Sequence, residues 1–142
     1  MDEAYSVVEG RFGTVEVREI SHNLITHAHA QMQFGYWIGG GTAHASLSAV
    51  PAQYNDAFVV SVNRYQSHDF ILDDAQSPAF VLFLYIHQSW LDDVQRKLSN
   101  PVVLTQSQIK QTAEMRLAAW QLMQKTMLFQ NSESQSIEED VL

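Results

Sequence analysis

The hydrophobic pattern of this chain changes period near Gln88. Before that point, apolar and polar residues alternate in short runs, the signature of half-buried strands; after it, apolar residues recur at helical spacing. Thr14–Ile20 is rich in β-branched residues, with Val15 and Val17 opposite Glu16 and Arg18. Gln31–Ile38 places Met32, Phe34, Tyr36 and Ile38 on one face and Gln31, Gln33, Gly35 and Trp37 on the other. Asn23–His29, Thr42–Val50, Ala57–Val62 and Ser67–Leu72 read as further strands. Gly39-Gly40-Gly41 permits a tight reversal at positive φ, and Pro51–Asp56 and Asp73–Pro78 read as turns. Ala79–His87 is almost wholly apolar, as expected of a strand covered on both faces. Short strands at this spacing predict a mainly β sandwich or barrel, and closure into a barrel would remove the exposed edges.

Beyond Gln88 two helices are expected. Ser89 serves as N-cap of the first, with Asp92 and Asp93 in its first turn, Arg96 and Lys97 in its last, and Trp90, Leu91, Val94 and Leu98 as its apolar stripe. Asn100-Pro101 ends it. Thr105, with Gln108 as capping-box partner, opens a second helix running to about Gln130. Its seam comprises Ile109, Ala113, Leu117, Trp120, Met123 and Met127; part must pack on the β core, and the seven-residue steps Ala113, Trp120, Met127 suit a homodimer contact. Ser136 and Glu139 resemble another capping box, so a helix starts just before the chain stops and a further domain is expected to follow. Residues 1–88 are thus read as the β unit and 89–142 as a helical dimerisation segment of the same structural domain.

Composition narrows the function classes. With 142 residues, 46% apolar and 17% charged, the chain has the makings of one globular core. No run of eighteen apolar residues exists, and the acidic start MDEAYSVVEG lacks a secretory pattern, so no membrane partner and a cytoplasmic location are expected. Cysteine is absent, which excludes thiolate metal sites and a cysteine nucleophile. Eight Lys+Arg face sixteen Asp+Glu, a net charge of −8, and the densest basic cluster is Arg96–Lys97. Nucleic-acid binding needs a concentrated basic surface, so this segment is not expected to contact DNA itself.

The sharpest local feature is His27-Ala28-His29 with Gln33 four residues on. In an unbroken strand both imidazoles point the same way, and two imidazoles at i and i+2 can chelate a first-row metal, with His68 as a third ligand. The neutral amide of Gln33 is a poor ligand for a divalent ion, so no metal and no cofactor are expected; if a metal binds, His27, His29 and His68 are its ligands. The alternative is a histidine pair that hydrogen-bonds to turn backbone or to a ligand. Nucleophile-elbow, Walker and dinucleotide glycine patterns are absent, so no catalytic residue is named and no enzyme is expected.

The HxH pair with Gln33 resembles a first cupin motif in which the usual glutamate is replaced, and the stretch before His68 lacks the Pro-x-Gly turn of the second. HAHAQMQFGYWIGGG (residues 27–41) resembles the segment of AraC-type sensor domains in which a histidine pair leads into an aromatic strand and a glycine turn. Tyr54–Val60 resembles their turn-then-apolar-strand segment, with Asn55 where glycine is usual, and FVLFLYIHQSWLDDVQRKL (80–98) resembles their closing strand and first helix. The resemblance covers about residues 10–130. It implies a cupin-like (jelly-roll) β-barrel with C-terminal α-helices, a small-molecule effector as partner, a homodimer, and DNA contact only through a helix-turn-helix domain not present here. Ligand sites are mostly apolar with a few polar anchors, so the aromatic-plus-imidazole set Phe12, His27, His29, Gln33, Trp37 and His68 is the candidate effector site, with Phe12 entering by analogy with N-terminal arms that cover the pocket in that family. A metal-dependent cupin enzyme, a dioxygenase or isomerase, is the competing reading.

Overall fold

In the computed structural model, residues 3–97 and 108–129 are described. Among these described residues, ten strands form two antiparallel sheets. In chain order they are β1 (Glu3–Glu9), β2 (Gly13–Ile20), β3 (Leu24–His27), β4 (Met32–Gly40), β5 (Ala43–Leu47), β6 (Val50–Tyr54), β7 (Phe58–Val62), β8 (His68–Leu72), β9 (Ala79–Ile86) and β10 (Gln108–Lys110). Helix α1 (Gln88–Lys97) lies between β9 and β10, and α2 (Ala113–Phe129) follows β10. The larger sheet has the order β1-β2-β9-β4-β7-β10 and the smaller β3-β8-β5-β6. This is a mainly β, cupin-like jelly roll. The sheets face each other without closing, so the expected sealed barrel is an open two-layer sandwich.

Each strand's alternation decides which core its side chains join. The space between the sheets is filled by Ile20, Ala43, Ala45, Leu47, Tyr54, Val60, Phe70, Val81 and Phe83 among others, with Trp37 and Tyr85 packed against them. The other face of the larger sheet holds a second core, in which Val8, Phe12, Val15, Val17, Leu82, Leu84 and Ile86 meet Leu91 of α1 and Leu122 of α2. The face assignment for β4 is as the pattern predicts: Met32, Phe34, Tyr36 and Ile38 lie toward the helices, and Gly35 and Trp37 lie inside. β9, apolar at nearly every position, pairs with β2 and β4 and contributes to both cores.

Three expectations are corrected. Val50–Tyr54 is a strand rather than a turn, because Ser48 and Ala49 adopt positive φ (48° and 69°) and close a hairpin that no glycine announces. The long helix expected from Gln106 begins at Ala113, since Gln108–Lys110 pairs with β7 as an edge strand and Thr112 is the real N-cap, its Oγ1 accepting the Met115 N–H at 3.1 Å. Ile109 is therefore a strand residue, outside any helical seam. Helix α1 starts at Gln88, so Ser89 lies inside it. β1 was not anticipated. The Thr105 cap, the Asn100-Pro101 stop and the Ser136 box lie outside the described residues, as does the Met127 side chain.

Helix α2 lies on β1 and β2. Ala119 and Leu122 are buried and Met123 is half-buried, whereas Leu117 and Trp120 are 61% and 44% exposed. Gln53 N–H donates to Gln108 Oε1 (2.7 Å) and Arg116 Nη2 donates to the Asp56 carbonyl (2.8 Å), which ties the start of α2 to the β6–β7 turn.

Candidate functional site

At one end of the sandwich the sheets part around a cavity of about 340 Å³. Antiparallel pairing of β3 with β8 sets His27 directly opposite His68. His29 is not in the strand: β3 ends at His27, and His29 occupies the loop leading into β4. That loop is held by the turn at residues 63–66, through Tyr65 N–H to the His29 carbonyl (2.7 Å) and Arg64 Nε–H to the Ala30 carbonyl (3.0 Å). The i, i+2 strand geometry is thus absent, yet the three rings converge, with centroids 4.2 Å (His27–His68), 5.0 Å (His29–His68) and 6.0 Å (His27–His29) apart.

Backbone carbonyls set the tautomers. Nδ1–H of His27 donates to Ile25 (2.9 Å), of His29 to Gln31 (2.8 Å) and of His68 to Gln66 (2.9 Å). Each neutral ring then presents a lone pair at Nε2. His29 Nε2 meets the buried Gln33 carboxamide, whose Oε1 stands 2.8 Å away; exchange of the two amide ends supplies the matching N–H. His68 Nε2 is buried without a hydrogen-bond partner. Desolvation holds the His68 pKa below its ordinary value, with the neighbouring His27 and His29 acting in the same direction.

An orphaned buried nitrogen beside two more imidazoles is a donor set that fits a divalent cation. One ligand atom from each ring lies within 4.8 Å of the others. Twice a typical Zn–N length of about 2.1 Å is less than that upper bound, so at full separation the rings must draw together before one ion reaches all three. Bound there, a metal would supply Lewis acidity; His27, His29 and His68 would hold it, and Gln33 would orient His29.

The rest of the wall is aromatic, with one cationic residue, Arg18, and one acidic residue, Asp69. Tyr54, Phe70, Phe83 and Tyr85 line the cavity with Leu24 and Ile25, and Arg18 joins them from β2. Burial raises the pKa of Tyr54 and pushes that of Tyr85 up to about 12, so both hydroxyls remain protonated donors at neutral pH. Arg18 Nη1–H donates to Glu16 Oε2 at 2.9 Å.

Of the six residues the sequence nominated, His27, Gln33 and His68 line the cavity; His29 is not among the lining residues, but its ring meets those of His68 and Tyr85 edge-on. Trp37 packs between the sheets but away from the cavity, its Nε1–H donating to the Gly41 carbonyl (2.9 Å). Phe12 is wholly buried in the second core, on the helix side of the larger sheet, so it is no lid over the pocket. Arg18, Tyr54, Asp69, Phe70, Phe83 and Tyr85 were missed. Arg18 carried a signal, since it alternates with Val15 and Val17; on a strand covered on both faces, the polar side is also an interior side.

No family model and no curated protein matches this chain. Among solved structures, ToxT of Vibrio cholerae is similar over 93% of this chain and 53% of its own, with a TM-score of 0.59 at 12% identity. The cupin domain of Cnp3 from Schizosaccharomyces pombe aligns over 61% of this chain and 64% of its own (TM-score 0.48, 11% identity). A salicylate 1,2-dioxygenase from Pseudaminobacter salicylatoxidans aligns over 64% and 25% (TM-score 0.47, 16% identity). The chain therefore spans less than two thirds of each of these proteins, and about half of ToxT. What the likeness to ToxT shows is the fold.

Proposed function

We propose that this chain is the effector-sensing and dimerising domain of an AraC-type transcription regulator, taking a small molecule into the cavity between its sheets and turning nothing over. The observation that carries the reading is the placement of that cavity relative to the helices. Arg18 of β2 faces the cavity, while its neighbours Val15 and Val17 pack toward α1 and α2. One strand thus has a ligand on one side and the helical segment on the other, and a ligand that prefers one strand position biases the helices. The likeness to ToxT, an AraC-family regulator, extends through the helical segment as well as the sandwich.

In this reading Leu117 and Trp120, exposed on the outer face of α2, meet a second copy, and DNA is contacted through a separate domain because a net charge of −8 offers no basic surface here. The test is to screen small metabolites by thermal shift, then follow each stabilising compound by sedimentation and by amide exchange in α2. The reading expects a compound that protects the cavity strands and changes exchange in α2 or the dimer equilibrium. Binding that leaves α2 and self-association untouched would overturn the sensor role.

The histidine triad favours a second reading, a metal-dependent cupin enzyme. Elemental analysis near one iron, manganese, nickel or zinc per chain in protein purified without added ions, lost in His68→Ala, would promote it.

A further inference from the structure

We propose that Arg18 makes the cavity a carboxylate subsite, so that its ligand is a small, flat organic anion whose ring lies against the aromatic wall; this rests on the cavity being the effector site.

Glu16 and Arg18 take inward positions of β2, in the same alternation as Ile20, which lies in the core between the sheets. Their side chains are only 19% and 28% exposed. A half-buried ion pair is a poor device for stability, since apolar residues of similar size do as well or better, so its presence in an aromatic interior asks for another reason. The pair is one-pronged: Nη1 alone serves Glu16, and the planar guanidinium is built to grip two oxygens at once. Arg18 lines the cavity; Glu16 is not among the lining residues.

The surroundings match an anion. Tyr54 and Tyr85 keep their hydroxyl protons well above neutral pH and are donors. Asp69 also lines the cavity, but its Oδ1 is engaged by the Ser46 N–H at 2.6 Å, which leaves Arg18 as the cationic group of the wall. Phe83 and Tyr85 stand 6.2 Å apart at an interplanar angle of 32°, a surface for a ring. At about 340 Å³ the cavity sits at the small end of ligand pockets, which favours a single-ring acid over an extended chain.

The test compares benzoate with benzamide, its uncharged analogue, on chelator-treated protein so that no metal at the histidines takes the carboxylate. Affinities are read by ligand-observed NMR on wild type, Arg18→Gln, Arg18→Lys and Glu16→Gln, each first shown to be folded by its melting curve. A charge-assisted contact predicts that wild type prefers benzoate roughly tenfold or more. Arg18→Gln should remove the preference, Arg18→Lys should keep part of it, and Glu16→Gln should strengthen it by removing a competing carboxylate. Equal affinity for the two probes, or a preference for benzoate that survives in Arg18→Gln, overturns the subsite while leaving a ligand cavity in place. If neither probe binds in the millimolar range, the subsite is overturned, and the sensor reading then stands or falls on its own screen.

Discussion

Tyr54 lies so close to the backbone of Gly35 that a Cβ built there would sit 2.5 Å from its Cε1. The two residues belong to different sheets, and the missing side chain is what lets the Tyr54 ring lie flat inside, 4.8 Å from the centroid of Phe70.

Gly35→Ala is therefore expected to push Tyr54 toward the cavity. Overpacking of this kind costs about 1–3 kcal/mol. Chemical denaturation should show that loss, and any cavity ligand should bind more weakly. An unchanged midpoint would mean that Tyr54 swings aside freely.

Phe12→Ala separates the two cores. Phe12 is wholly buried on the helix side, so the truncation should cost about 3–5 kcal/mol. The folded fraction should bind a cavity ligand as wild type does. Weaker intrinsic binding at full folding would return Phe12 to the site.

Leu117 and Trp120 offer the opposite test. Both are exposed, so Leu117→Ser with Trp120→Gln should change the stability of the monomer by less than about 1 kcal/mol. Sedimentation equilibrium should nevertheless show wild type associating and the variant monomeric. If both are monomeric at high micromolar concentration, this face of α2 is not a dimer contact in the chain. Leu122→Ala, on the buried side of the same helix, should instead lower stability by about 2–5 kcal/mol.

Acid stability should depend on Asp73. Its carboxylate accepts the Thr42 hydroxyl (2.6 Å) and His44 Nδ1–H (2.7 Å), and these hydrogen bonds, Thr42 first, hold its pKa below the usual carboxylate value. A depressed folded pKa gives a contribution that is complete above the unfolded value, near pH 4, and lost as pH falls through the folded one. The group is largely exposed, so the effect is small. Melting temperatures of wild type should fall more steeply below about pH 4 than those of Asp73→Asn; parallel curves would remove the contribution.

The strand order is not written anywhere in the chain, but the faces are. Val15 and Val17 against Glu16 and Arg18, and Met32 to Ile38 in their two sets, could be divided without coordinates because successive side chains in a strand must point opposite ways. The same local rule located the glycine reversal, where Gly40 takes φ 73°, and the breadth of β9. It failed where the backbone took a form that its residues do not advertise, as at Ser48-Ala49, and where a distant partner overrode helical spacing, as when β7 recruited Gln108–Lys110.

The candidate site divides along the same line. His27, His29, Gln33 and His68 could be nominated from residue type and spacing, since imidazoles near one another in sequence are rare enough to stand out. Pairing of β3 with β8 is what brings His68 across from His27 over forty residues of intervening chain, and the turn at 63–66 is what carries His29 into reach after its strand has ended. Whether Arg18 faces water or a cavity depends on a second layer lying over β2, and whether Trp120 is covered depends on the angle at which α2 meets β1 and β2. Both depend on contacts between segments far apart in the chain. Alternation and spacing set the direction of a side chain on its own element; only packing decides what lies in that direction.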